Sequence, residues 1–177
     1  GWLALAFFGR FVELGQALVA GAVAWVVPLG VHAVDARPSA ASARGNLSRL
    51  VELWLPFGVA LGLVSFAAPV GAFAAIAAGG WLVTTALVAL AGLARIARRG
   101  LFPIEELAID VGHVYLLVGG AWLLATRGGL SPLGFHEPIV LYTAKYFHFA
   151  GFAAPVVVGL LGRELGLRRA PDDDSSP

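Results

Sequence analysis

Hydrophobic residues in this chain form long runs, not the short amphipathic periods of a water-soluble domain. Five of those runs are long enough to cross a bilayer as helices. The first runs from Gly15 to Val34, broken only by Pro28, which a spanning helix tolerates. Runs over 51–67 and 71–94 flank the turn Ala68-Pro69-Val70-Gly71 and read as a helical hairpin. The fourth and fifth, 103–125 and 138–161, open on Pro103 and Pro138, where a first helical turn accepts proline. Between them lie polar or glycine-rich connections: the stretch from Asp35 to Ser48, the group Arg95, Arg98, Arg99 and Gly100, and the loop Gly128 to Pro132. Residues 1–162 therefore read as a single all-α transmembrane bundle. Residues 163–177, with Asp172, Asp173, Asp174 and two serines, read as a polar, disordered cytoplasmic tail. The apolar stretch 1–13 is too short to span and is expected to be an interfacial helix, the alternative being a truncated span.

Composition strengthens this reading. Hydrophobic residues make up 59% of the chain and charged ones 13%, whereas a soluble domain carries about a quarter charged residues. A net charge of +1 leaves no basic field for nucleic acid, so the expected partners are the lipid bilayer, a small solute or ion, and a second copy of the chain in a homo-oligomer. Cysteine is absent, which removes disulfides and thiolate chemistry. Methionine is also absent, the first position included, so a piece of a longer chain is expected.

The basic residues predict an orientation. Arg37, Arg44 and Arg49, then Arg95, Arg98 and Arg99, then Arg163, Arg168 and Arg169 fall on one side of a five-span topology, while the other side holds only Arg10 and Arg127. By the positive-inside rule the N-terminus is expected outside and the C-terminus in the cytoplasm.

Ionisable residues inside the runs are the candidate chemistry, because charge at membrane depth is costly and by default marks a functional site. Glu106, Asp110 and His113 lie at spacings of four and three on one helical face. Lys145 and His148 lie three apart on the last run, and both histidines are expected near the midplane. The reading is a polar chamber between the fourth and fifth helices, lined by Glu106, Asp110, His113, Lys145 and His148, with Tyr142 and Tyr146 as hydrogen-bonding partners. It would carry a proton, an ion or a small polar solute. His136 and Glu137, just before Pro138, are expected to cap the helix or gate the chamber. The blander reading has the histidines bonding across a helix pair, Lys145 snorkelling and Glu106 complementing a helix N-terminus.

A membrane-embedded enzyme is the alternative. Asp110 and His113 have the carboxylate-histidine spacing used twice over in di-metal bundles, and Asp110, His113 and His148 are the residues that could ligate a metal, or the two histidines a haem. The pattern occurs once here and Lys145 opposes it, so no cofactor is predicted. The tryptophans Trp25, Trp54, Trp81 and Trp122 are expected to pack or anchor at the interface.

Three blocks suggest a relative. Glu105-Glu106-Leu107-Ala108-Ile109-Asp110, then Gly134-Phe135-His136-Glu137-Pro138-Ile139-Val140, then Phe147-His148-Phe149-Ala150-Gly151-Phe152 resemble the YndJ-like family of bacterial multi-span membrane proteins, as does Val26-Val27-Pro28-Leu29-Gly30 in the first run. That family has a histidine, an aromatic residue and a second histidine before Ala-Gly-Phe, whereas this chain has Tyr146, Phe147 and His148, which weakens a ligand role for both. The resemblance implies a transporter label with no established substrate. It also implies further spans beyond the last motif, so the chain is expected to be a truncated copy, the third possibility being an inactive fragment.

Overall fold

The computed structural model describes residues 2–36 and 46–169. These form five helices long and apolar enough to cross a membrane, α1 (Val12–Ala36), α2 (Asn46–Ala67), α3 (Ala72–Arg99), α4 (Ile104–Gly128) and α5 (Ile139–Gly166). No strand occurs among the described residues. Two expectations about the ends change. The helix entering α1 begins at Trp2 without a break, so the first residues are continuous with the helix of the first span and do not form a separate helix. At the other end helix continues to Arg169, which places Arg163 inside the bundle and not at the head of a polar tail. Residues 170–177, with the three aspartates, and Arg37 and Arg44 lie outside the described residues.

Helix ends follow local chemistry. Pro103 and Pro138 sit at the N-caps of α4 and α5, one position before the first turn in which they were expected. Gly129 stops α4 in the left-handed region at φ 67°, where a residue without Cβ meets no steric penalty. The amide of Gly71 in the α2–α3 turn donates to the Arg127 carbonyl at 2.9 Å, tying that turn to the end of α4.

The helices form a closed ring in chain order: α2 packs on α3, α3 on α4, α4 on α5, and α1 on both α5 and α2. The interior is built from repeats along each helix. Val19, Val23, Val27 and Val31 on α1 and Ile109, Leu116 and Leu123 on α4 face inward with Trp81 and Phe152.

The α1 repeat is four residues, and so is the buried series Val140, Ala144, His148, Phe152, Val156 on α5. A step of four overshoots an α-helical turn of about 3.6 residues, so such a series should drift off its face. Both helices correct the drift with a π-helical stretch, Ala22–Val26 in α1 and Phe147–Ala153 in α5, whose wider turn of about 4.4 residues absorbs the excess. The two stretches touch each other.

Small residues set how closely the helices approach, as they do in other membrane bundles. At Gly58 the backbone of α2 lies so near α3 that an added Cβ would come within 1.7 Å of Thr84 Oγ1. Gly58→Val is therefore expected to destabilise the bundle by about 2–3 kcal/mol through overpacking, measured by denaturant titration in detergent micelles. Combining it with Thr84→Ala should recover part of the loss. A Gly58→Val protein as stable as the parent would mean that α2 and α3 do not meet there.

Candidate functional site

Carboxylates and guanidinium groups meet on either side of α4. Asp110 is fully buried, and its two oxygens are taken by two arginines of α3: Arg95 Nε at 2.6 Å on Oδ1 and Arg99 Nη1 at 2.9 Å on Oδ2. Arg99 also donates Nε to the Phe102 carbonyl. The spacing of four between Arg95 and Arg99 puts both on one face of α3. Close approach is possible because Gly92 carries no side chain where α3 passes the Asp110 backbone.

One turn earlier on the same face, Glu106 reaches a different neighbour. Arg163 of α5 grips it with Nε on Oε1 at 2.6 Å and Nη2 on Oε2 at 2.7 Å, and its Nη1 donates to the Val34 carbonyl of α1 at 3.2 Å. This bidentate fork matches carboxylate geometry, and it joins the first, fourth and fifth helices at one point.

His113, the next turn of the same face, donates Nδ1–H to the Ile109 carbonyl at 2.6 Å. Because a carbonyl only accepts, that contact fixes the proton on Nδ1 and leaves Nε2 as an acceptor. The ring meets Phe152 edge-on. Beside it lies a cavity of about 10 Å³, bordered by His113, Arg95, Asp35 of α1, Ser48 of α2 and apolar Val31 and Val88. That is room for about one water molecule. Arg95 Nη2 and Arg99 Nη2 are buried with no protein acceptor among the described residues.

The expected chamber residues are thus distributed among separate places. Asp110 and Glu106 turn to opposite neighbours. His148 contacts Gly119 of α4, whereas His113 contacts Phe152 of α5, so the two histidines sit at different heights, not at one depth. The offset of roughly five residues is about 7–8 Å along the helix axis. Both nitrogens of His148 are engaged: Nδ1 donates to the Ala144 carbonyl at 2.8 Å and Nε2 accepts the Trp81 indole N–H at 3.0 Å. Trp81 therefore stacks on and bonds a functional candidate, beyond the packing role expected of it. Each Asp110 oxygen accepts from an arginine and both His148 ring nitrogens are hydrogen-bonded. No group of three or more metal-binding side chains occurs among the described residues.

Lys145 lies apart from the arginine centres, its ammonium 4.5 Å over the Tyr142 ring, and Tyr146 is exposed. Glu137 accepts from Thr126 Oγ1 and, at 3.3 Å, from the Leu141 amide, which makes it a helix cap that ties α5 to the end of α4. His136 meets Ser131 in the connecting loop. At the same end Arg127 folds inward onto the Ser65 and Ala68 carbonyls and the Phe66 ring.

Sequence reasoning found the acids of this site and missed its bases. Arg95, Arg99 and Arg163 read as loop charges because they stand at the ends of apolar runs. The available signal was partial: buried carboxylates on one helix require buried cations, and Arg95 and Arg99, four apart on the preceding helix, share a face that can reach Asp110, whereas no spacing pointed to Arg163 as the partner of Glu106.

Comparison with known proteins agrees with this architecture. The profile of the YndJ-like protein family matches residues 17–172. The uncharacterized membrane protein YndJ of Bacillus subtilis (strain 168) is 29% identical over 158 residues, covering 89% of this chain and 28% of that protein, so the chain spans little more than a quarter of that relative's length. No solved structure matches. The match over most of the chain, together with five candidate membrane spans, establishes that this bacterial membrane protein belongs to the YndJ-like family.

Proposed function

We propose that the chain is the ion- or solute-handling part of a transporter-like membrane protein, and that the handling group is the centre formed by Arg95, Asp110 and His113. One observation carries this reading: the buried Nη2 of Arg95 has no protein acceptor among the described residues, and its residue borders a water-sized cavity shared with His113, Asp35 and Ser48. A buried donor left unpaired costs about 1–3 kcal/mol, more when charged. A site that supplies such a donor beside a cavity fits a small polar occupant, such as a water, an ion or a solute group. The proposal differs from the expected His/Asp/Lys chamber in giving Lys145 and His148 no part. The end of the bundle bearing Arg95, Arg99 and Arg163 is assigned to the cytoplasm on the arginine asymmetry alone.

The test is flux in vesicles reconstituted with the protein and loaded with a pH-reporting dye, under an imposed potassium diffusion potential. Protein-dependent proton or proton-coupled flux is expected, reduced at least about tenfold in His113→Gln and in Arg95→Lys, with Lys145→Gln unchanged. Arg95→Lys keeps the charge and removes the forked geometry, so a folded but inactive variant would tie activity to that geometry. Flux that survives both substitutions in correctly folded protein contradicts the assignment.

A further inference from the structure

Lys145 is the charge that the arginine centre leaves unexplained. Arg95, Arg99, Arg127 and Arg163 all meet carboxylates or carbonyls within the bundle, whereas the ammonium of Lys145 meets the half-buried ring of Tyr142. Its direction is informative. Helical side chains lean toward their own N-terminus, and Nζ lies over Tyr142, one turn closer to the start of α5 than its own backbone. Since α5 starts at Ile139, the Lys145 backbone is about 9 Å into the helix and its ammonium is carried back to about 5 Å from the end. That is the level of lipid headgroups and glycerol.

Two shallow grooves open on either side of the ammonium. One, of about 340 Å³, is walled by Leu18, Lys145, Tyr146, Phe149 and Ala150 and extends toward the bilayer centre. The other, of about 450 Å³, borders Ile139, Tyr142 and Thr143 and shares Lys145 and Tyr146. An apolar channel leading away from a cation and a tyrosine at headgroup depth has the shape of one amphiphile, anion at the top and acyl chain below.

We infer that this face is a binding site for an anionic phospholipid, whose phosphate pairs with Lys145 and whose acyl chain lies along Leu18, Phe149 and Ala150. The cation–π contact with Tyr142 holds the ammonium in place before the lipid arrives. Of the acids nearby, Glu137 is occupied by Thr126 and the Leu141 amide, and Glu13 on α1 is exposed. The site is independent of the arginine centre and of any transport activity.

Native mass spectrometry of the detergent-purified protein titrated with phosphatidylglycerol or phosphatidylcholine of identical chains tests it. The protein is expected to retain one phosphatidylglycerol with about fivefold preference, the worth of one basic residue near a membrane surface. Lys145→Gln should abolish that preference and Lys145→Arg keep it, while Arg98→Gln, an exposed charge at the opposite end of α3, should leave it intact. Equal retention of the two lipids by the parent, preference that persists in Lys145→Gln, or displacement of the lipid by millimolar inorganic phosphate would each overturn the assignment.

Discussion

Asp110→Ala is expected to lower the stability of the bundle by about 3–5 kcal/mol, the usual consequence of removing one partner from a buried ion pair. The magnitude follows from what the substitution leaves behind. Arg95 and Arg99 are both held on Asp110 at 2.6 and 2.9 Å, and each already has a buried Nη2 with no acceptor among the described residues. Without the carboxylate, two guanidinium groups of like charge would face one another with no anion between them. Unfolding in mixed micelles, followed by tryptophan fluorescence, measures the loss. Asp110→Asn keeps the size and one acceptor and should fall between the parent and the alanine variant. An alanine variant within 1 kcal/mol of the parent would mean that the two arginines reach water and that the centre is a surface feature.

Arg163→Met is expected to cost a similar amount, about 3–5 kcal/mol, for a different reason. It leaves a fully buried Glu106 carboxylate without its bidentate partner and releases the Val34 carbonyl. The loss should be local as well as global, because Arg163 links α5 to α1 and α4. Proteolysis at the ends of α1 and α5 is expected to accelerate in this variant before the α2–α3 hairpin is cut. Loss spread evenly over all five helices would argue against that local role.

The helices themselves were legible from the sequence because the bilayer imposes one simple rule, about twenty apolar residues per crossing. Helix α2 begins before its apolar run because Asn46, Ser48 and Arg49 are polar enough to read as loop yet helical in fact, and the helix entering α1 begins as early as Trp2. Sequence placed Glu106, Asp110 and His113 on one turn-repeating face, and the structure has them there. What could not be read was where that face turns. A helix face three residues wide meets two neighbours at once, so Asp110 reaches α3 while Glu106 reaches α5 and α1, and no spacing along α4 alone distinguishes these outcomes.

The positive-inside count also concealed the site. Arginine at the end of an apolar run serves equally as a topogenic charge in water or as a buried counter-ion, and the hydropathy profile is the same for both. The π-helical stretches are a second hidden feature. They accommodate buried positions four apart in α1 and α5, but a period of four differs from 3.6 too little to be seen in a short run.

The central claim is that the buried carboxylates of α4, Glu106 and Asp110, are held in arginine-carboxylate pairs with the neighbouring helices. A double-mutant cycle on Glu106 and Arg163 tests it most directly. Glu106→Leu and Arg163→Met are each expected to cost about 3–5 kcal/mol, whereas the double variant, which removes both charges together and replaces them with apolar side chains, should recover most of that loss. A double variant whose loss equals the sum of the two single losses would show that these side chains do not pair, and the account of the site would fail with them.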